Sequence, residues 1–135
     1  MTFVLDASVT LGWYLPDERN DYANRILRRL AEEAAIVSGI WHIEVANGLL
    51  VAERRGRISA PDIPRIHSLL SVLPIAPVGP ALDSALGPVL VVARTYGLSA
   101  YDASYLELAL REGHPLATLD RNLRAAARKS EVALA

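Results

Sequence analysis

Leu98–Gly113, LSAYDASYLELALREG, is the stretch on which the reading of this chain turns. Ser99 precedes Asp102 by three residues, the spacing of a helix capping box. The helix this predicts runs to about Glu112, and Gly113 stops it. Ala103, Leu106, Ala109 and Leu110 form its apolar stripe. Asp102 lies in the first turn at the edge of that stripe, so its carboxylate is expected to point along the core. Alone, such an acid need only cap the helix and complement its dipole. Asp6, Glu44 and Asp120 stand at comparable element boundaries, and that company asks for more than capping.

Outward from this helix, strand and helix signals alternate. Thr2–Leu5 is a short apolar run ending at Asp6, read as a buried strand with a carboxylate at its C-terminal end. Ala7–Leu15 is a first short helix closed by Pro16, and Glu18–Glu33 has helical spacing with a charged opposite face. Ala35–Ser38 is a second strand, ended by Gly39. Trp41–Arg55 is a helix with Ile43, Ala46 and Leu50 as its expected buried face, while Glu44 and Asn47 share a neighbouring face. Ser59 caps a further helix to about Leu73, and the prolines of Pro74–Val78 restrict that segment to an edge strand. Pro80–Tyr96 is helical in composition, but Gly87-Pro88 predicts a kink or two short helices. A strand over Pro115–Leu119, a helix over Arg121–Lys129 and a candidate last strand at Val132–Leu134 complete the chain. The alternation predicts an α/β fold, a three-layer α/β/α sandwich with a small, mainly parallel sheet covered on both faces. Residues 1–135 read as one domain, without linker or internal repeat.

Composition narrows the function classes. At 135 residues and 52% apolar, the chain can build a sizeable core. Cysteine is absent, which excludes disulfides and thiolate metal sites. The N-terminus lacks the basic region of a signal peptide, and the longest apolar run, Pro88–Ala93, is too short to span a membrane. A cytoplasmic location without membrane contact is the expectation. The net charge of −1 provides no global basic field. Contact with RNA must then come from local clusters, Arg25/Arg28/Arg29 or Arg54/Arg55/Arg57, with Arg25, Arg28 and Arg121 as candidate phosphate contacts.

The acids carry the chemistry. Sites in open α/β sheets form outside the carboxyl ends of the strands, where Asp6 and Asp120 are expected. Glu44 and Asp102 belong near helix N-termini that face the same edge. Two unit charges about 4 Å apart repel by roughly 4 kcal/mol at an effective dielectric near 20, so four acids in one cleft call for protons or cations. Oxygen ligands alone select the hard ions Mg²⁺ and Mn²⁺. Zinc is disfavoured, because His42, His67 and His114 show no i, i+4 pairing. Ser8, Asn47, Thr118 and Asn122 flank the acids, either as turn and cap residues or as groups that orient the carboxylates.

Four blocks now combine into a pattern: VLDASV at Val4–Val9, IEVANGL at Ile43–Leu49, GLSAYDASYLELA at Gly97–Ala109 and LATLDRNL at Leu116–Leu123. In order and spacing they resemble the PIN domain, and within it the VapC toxins of bacterial toxin–antitoxin pairs. The resemblance implies a PIN-like fold and a Mg²⁺- or Mn²⁺-dependent endoribonuclease that arrests growth by cutting RNA with a metal-activated water. It maps the catalytic acids onto Asp6, Glu44, Asp102 and Asp120 and the supporting polar residues onto Ser8, Asn47 and Thr118. Asp6 and Asp102 are expected as direct metal ligands and Asp120 as a third, with Glu44 ligating or acting as general base. Gly48 and Thr10 depart from the usual pattern without touching an acid.

The resemblance also supplies a VapB-like antitoxin as partner. Trp13, Tyr14 and Leu15, with the Ile26/Leu27/Leu30 stripe, are expected to line an apolar groove for its helix beside the acids. Pro80–Tyr96 carries apolar surface in excess of what a small sheet needs and is assigned to a homodimer interface. A catalytically inert PIN-like module that only binds a partner is the alternative. A phosphorelay receiver would want a lysine late in the fold after a strand, whereas Lys129 lies within a helical segment. An aspartyl-nucleophile phosphatase would start Asp-x-Asp, where this chain has Asp6-Ala7-Ser8.

Overall fold

Four short strands set the frame of the computed structural model, which describes residues 1–135: β1 (Thr2–Leu5), β2 (Ala34–Val37), β3 (Ile75–Pro77) and β4 (Leu116–Ala117). They form one sheet in the order β3-β2-β1-β4, and every pairing is parallel. The chain builds outward from β1 through β2 to β3, then returns to place β4 on the other flank of β1. Beyond the carboxyl ends of β1 and β4 lies the crevice that such a reversal of strand order creates. The register aligns Leu5 with Ala117. Asp6 and Thr118 therefore leave the sheet side by side, and the Asp6 N–H donates to the Ala117 carbonyl at 3.0 Å. As its prolines require, β3 is an edge strand.

Eight helices surround the sheet: α1 (Ala7–Tyr14), α2 (Asp21–Arg29), α3 (Trp41–Arg54), α4 (Asp62–Ser71), α5 (Leu82–Ser84), α6 (Leu90–Tyr96), α7 (Ala100–Glu112) and α8 (Arg121–Lys129). The helix expected over Glu18–Glu33 is shorter, because Pro16–Glu18 forms a 3₁₀ turn and the Asn20 side chain accepts the Ala23 N–H at 2.7 Å to start α2. Ser59 contributes differently from expectation. Its N–H and hydroxyl donate to the Asp62 carboxylate, and α4 begins at Asp62. The interruption expected at Gly87-Pro88 is a π-turn over Ala85–Val89 between α5 and α6, where the proline removes a donor from the ladder. For α7 the capping prediction holds. The Ser99 hydroxyl accepts the Asp102 N–H at 3.1 Å, and Gly113 ends the helix at φ 69°. The candidate strand at Val132–Leu134 is reduced to a single parallel bridge between Leu116 and Leu134.

Packing corrects three readings of faces. All residues from Ala103 to Ala109 are buried, because α7 lies on β1 and β4 with α6 and α8 against its flanks. Leu110, expected in the stripe, is 43% exposed. Buried Glu107 is held by Arg111 at 3.0 Å. On α3 the buried face is Trp41, Val45, Leu49 and Ala52, while Ile43, Ala46 and Leu50 face solvent. VANGLLVA is apolar on two sides, so periodicity alone does not choose between them. The Trp41 indole decides it, buried with its N–H donating to the Thr10 hydroxyl at 3.1 Å. Likewise, Trp13, Leu15, Ile26 and Leu30 belong to the core, with Tyr14 and Leu27 partly buried against it. The Trp13 N–H reaches the Ala23 carbonyl at 2.7 Å and ties α1 to α2. No helix is long and apolar enough to cross a membrane.

The loop after β2 is closed by a backbone contact that tolerates no side chain. The Gly39 N–H donates to the Gly79 carbonyl at 2.6 Å, and a Cβ on Gly39 would stand 2.7 Å from that same oxygen. Gly87, by contrast, has open space around the position of a Cβ. Gly39→Ala is therefore expected to cost about 1–3 kcal/mol of stability, whereas Gly87→Ala is expected to stay within about 1 kcal/mol of the wild type. Equilibrium urea denaturation of the two variants measures the difference.

Candidate functional site

Asp6, Ser8, Glu44, Asn47, Asp102 and Asp120 line one cleft of about 550 Å³ at the carboxyl edge of the sheet, together with Ala7, Leu11, Ile43, Gly48 and Tyr101. The four acids reach it from four elements. Asp6 follows β1, Glu44 lies in the first turn of α3, Asp102 in the first turn of α7, and Asp120 at the N-cap of α8.

Asp6 is 5% exposed and fully organised by hydroxyls. Ser8 Oγ donates to its Oδ2 at 2.6 Å, and Thr118 Oγ1 donates to the same oxygen at 2.8 Å. Each hydroxyl is itself aimed by a backbone donor, Leu119 N–H onto Ser8 at 3.0 Å and Asp120 N–H onto Thr118 at 3.0 Å. With those donors in place, both hydroxyl protons point at Asp6, and Oδ1 is left for another partner. Burial raises the Asp6 pKa above the usual carboxylate range. The Ser8 and Thr118 hydrogen bonds pull it down less strongly, and Asp120 adds to the rise.

The other acids follow the same logic. One Asp120 oxygen accepts the Leu123 N–H at 2.8 Å, which caps α8 and leaves the second oxygen free. Burial first, then the Asp120 and Asp6 carboxylates, push Asp102 up to about 6 against the pull of the Ser99 hydroxyl. Glu44 is raised by burial above all, with Asp6 and Asp102 adding to the rise. The Tyr105 hydroxyl opposes this by donating to Glu44 Oε1 at 2.5 Å. Burial and Glu44 raise the Tyr105 phenol, so it stays a donor. Tyr105 is a site residue that sequence reasoning passed over. Its signal was its place three residues after Asp102, on the same side of α7.

None of the four acids takes part in an ion pair with an arginine, lysine or histidine. The donor set is all oxygen, with one carboxylate oxygen free on each of Asp6, Glu44 and Asp120, which suits a hard divalent ion. The carboxylates flank the cleft without closing on one another, and no three acids or histidines stand at ligand spacing. An ion that keeps several waters, as Mg²⁺ does, suits so open a set. Of the polar residues expected to support the acids, Ser8 and Thr118 do so directly. Asn47 lines the cleft but bonds to no acid, and its side chain makes no hydrogen bond within the protein. Asn122 is exposed on α8, outside the cleft lining.

The arginines expected to meet phosphates divide. Arg57 is taken up by Asp17 and Glu18, and Arg29 by Glu33. Arg25, Arg28 and Arg121 are exposed and unpaired, with Arg25 lying over the Tyr22 ring.

The PIN domain family model matches residues 3–129. Ribonuclease VapC3 of Pyrobaculum aerophilum is 30% identical over 127 residues, which cover 91% of this chain and 92% of that protein. The crystal structure of PAE2754 from the same organism superposes with a TM-score of 0.69 at 27% identity, covering 93% of this chain and 79% of that one. VapBC2 from Rickettsia felis, solved bound to a DNA fragment from its promoter, shares the fold with a TM-score of 0.68 at 16% identity, covering 100% of this chain and 98% of that one.

Crowded carboxylates make stability depend on pH in a definite direction. Between the ordinary Asp value of 3.8 and about 6, the folded state holds a proton on Asp102 that the unfolded state has released. Stability from this group is therefore present at low pH and falls as pH rises to about 6. Asp102 is half exposed, so solvent screening reduces the effect to about 1–2 kcal/mol. The helix dipole returns up to about 1 kcal/mol to the carboxylate. Without divalent ions, Asp102→Asn is expected to melt roughly 2–4 °C above the wild type at pH 7.5, with the gap closing near pH 4. Thermal melts in a chelator across that range provide the check.

Proposed function

The chain belongs to the PIN-domain family, and from that premise we propose that it is a divalent-metal-dependent endoribonuclease, the toxin of a VapBC-type pair. The observation that carries this reading is the set of four carboxylates gathered from β1, α3, α7 and α8 with no cationic side chain among them. When bound, Mg²⁺ or Mn²⁺ supplies Lewis-acid activation of water and of the leaving oxygen of a phosphodiester.

Asp6, Asp102 and Asp120 would hold that ion, in part through its waters, because they do not stand at direct ligand spacing. Asp6 offers Oδ1, because Ser8 and Thr118 occupy Oδ2. Asp120 offers the oxygen that does not cap α8. Glu44 takes the proton of the attacking water as general base, its carboxylate steadied by Tyr105. A pKa raised by burial makes Glu44 a stronger base than an exposed glutamate. Arg25, Arg28 and Arg121 supply phosphate contacts along the approach.

Regulation comes from a VapB-like antitoxin. Its docking surface in this reading is the apolar groove of about 710 Å³ between α3 and α4, lined by Val45, Leu49, Leu50, Ile63, Ile66 and Leu70. A groove of this kind accepts the apolar face of a partner helix, and it takes the place of the surface expected from Trp13, Leu15, Ile26 and Leu30, which are buried in the core. Leu82, Leu86 and Val91, between 59% and 71% exposed on α5, the π-turn and α6, serve self-association into a homodimer. In this reading the chain works in the cytoplasm, where its RNA substrate and its antitoxin meet.

Cleavage of labelled single-stranded RNA tests the reaction. The wild type is expected to cut in Mg²⁺ or Mn²⁺ and to stop in a chelator. Asp6→Asn or Asp102→Asn is expected to slow cutting by more than the roughly 10–100-fold typical of residues that only support a ligand. Wild-type rates in either variant would remove that residue from the site. No cleavage, with no heat on Mn²⁺ titration, would leave an inert partner-binding module instead. Docking is tested by co-expression with the product of the adjacent small reading frame. Leu50→Glu is expected to abolish co-purification without changing the melting temperature by more than about 2 °C, because Leu50 is 40% exposed.

A further inference from the structure

Tyr101 and Ile43 are large apolar residues left in the open, 65% and 73% exposed, and both stand on the wall of the acidic cleft. Each directly precedes one of its acids, Tyr101 before Asp102 on α7 and Ile43 before Glu44 on α3. Two helices from distant parts of the chain thus present the same pair, a carboxylate and an adjacent bare apolar side chain. The Tyr101 ring has no aromatic or guanidinium partner in the protein. One helical turn beyond Ile43, on the same side of α3, Asn47 reaches the cleft with its amide unpartnered.

We propose that Tyr101, Ile43 and Asn47 form a subsite for one unstacked nucleobase of single-stranded RNA, beside the acids. The inference rests on the ribonuclease reading and adds where the chain grips its substrate. A purine or pyrimidine has a flat apolar face and a polar edge, and the subsite offers both complements. Tyr101 and Ile43 cover the face, as aromatic platforms do in single-strand recognition. Asn47 has a donor and an acceptor on one planar group, suited to a base edge. The occupant is a single base rather than a protein helix. The cleft's carboxylates favour a ligand that brings a cation with its phosphate. Asn47 is thereby reassigned from supporting the acids to reading the substrate.

The test is fluorescence anisotropy of a labelled single-stranded RNA decamer, verified intact afterwards, with the full chain in Ca²⁺, a hard cation that accompanies the phosphates in place of Mg²⁺, beside cleavage in Mn²⁺. Tyr101→Ala is expected to weaken binding by about 5- to 100-fold, the range of one lost stacking contact. Tyr101→Phe keeps the ring and is expected to stay within about twofold. Asn47→Ala is expected to change the order of affinity among oligouridine, oligocytidine and oligoadenine. Unchanged RNA binding by Tyr101→Ala, at wild-type melting temperature, overturns the proposal. So does a wild type that binds no RNA, or a Tyr101→Ala variant that loses only its protein partner. If the wild type binds but cuts nothing while Tyr101→Ala still loses binding, the ribonuclease reading fails and the base subsite stands.

Discussion

Two hydroxyls donating to one buried carboxylate oxygen are the contact on which the rest of this site depends. Ser8 and Thr118 are separated by 110 residues, yet both turn their protons onto Asp6 Oδ2. They do so because the N–H groups of Leu119 and Asp120 occupy their acceptor sides. An ionised carboxylate that is 5% exposed is costly unless its lone pairs are met. The bridge meets one oxygen and leaves the other to the cleft, and burial outweighs the hydrogen bonds and keeps the pKa raised. The parallel register of β1 with β4 makes the bridge possible, because Asp6 and Thr118 leave aligned strands at the same height.

Helix α7 transmits this order to the far side of the cleft. Its middle, Ala103 to Ala109, is buried, so its N-terminal turn is held as if clamped. That turn carries Asp102. The Tyr105 hydroxyl then crosses to Glu44 and joins α7 to α3 through the site itself. Functional groups carried on packed helices and strand ends are held more closely than groups on loops. Each of the four acids here is anchored in that way.

The same arrangement costs stability. The carboxyls of Asp6, Glu44 and Asp102 are all raised, each with burial as the leading cause and neighbouring acids contributing. The chain does not lack arginine to neutralise them. Arg29, Arg57 and Arg111 are spent on Glu33, Asp17 and Glu107, away from the cleft. Four carboxylates are thus buried or half-buried together without a cationic partner, the pattern expected where groups are tuned for chemistry and not for folding.

Features that depend on neighbours a few residues apart were legible in the chain itself. The capping of α7 by Ser99, the stop at Gly113, the interruption at Pro88, the edge position of β3 and the acids at element boundaries all follow from local hydrogen bonding, fixed proline geometry and side-chain period. Long-range packing decided the rest. Which side of α3 is buried depended on where the Trp41 indole could find Thr10. Trp13 and Ile26 became core because α1 and α2 close on each other, while apolar side chains of α3 and α4 are left lining an open groove. The Tyr105–Glu44 bond spans 61 residues of sequence, and the isolation of Asn47 is defined by partners that are absent. Periodicity records which residues can be buried or paired. Only the assembled fold selects among those possibilities, because each choice depends on the volume and polarity of side chains that the chain brings from far away.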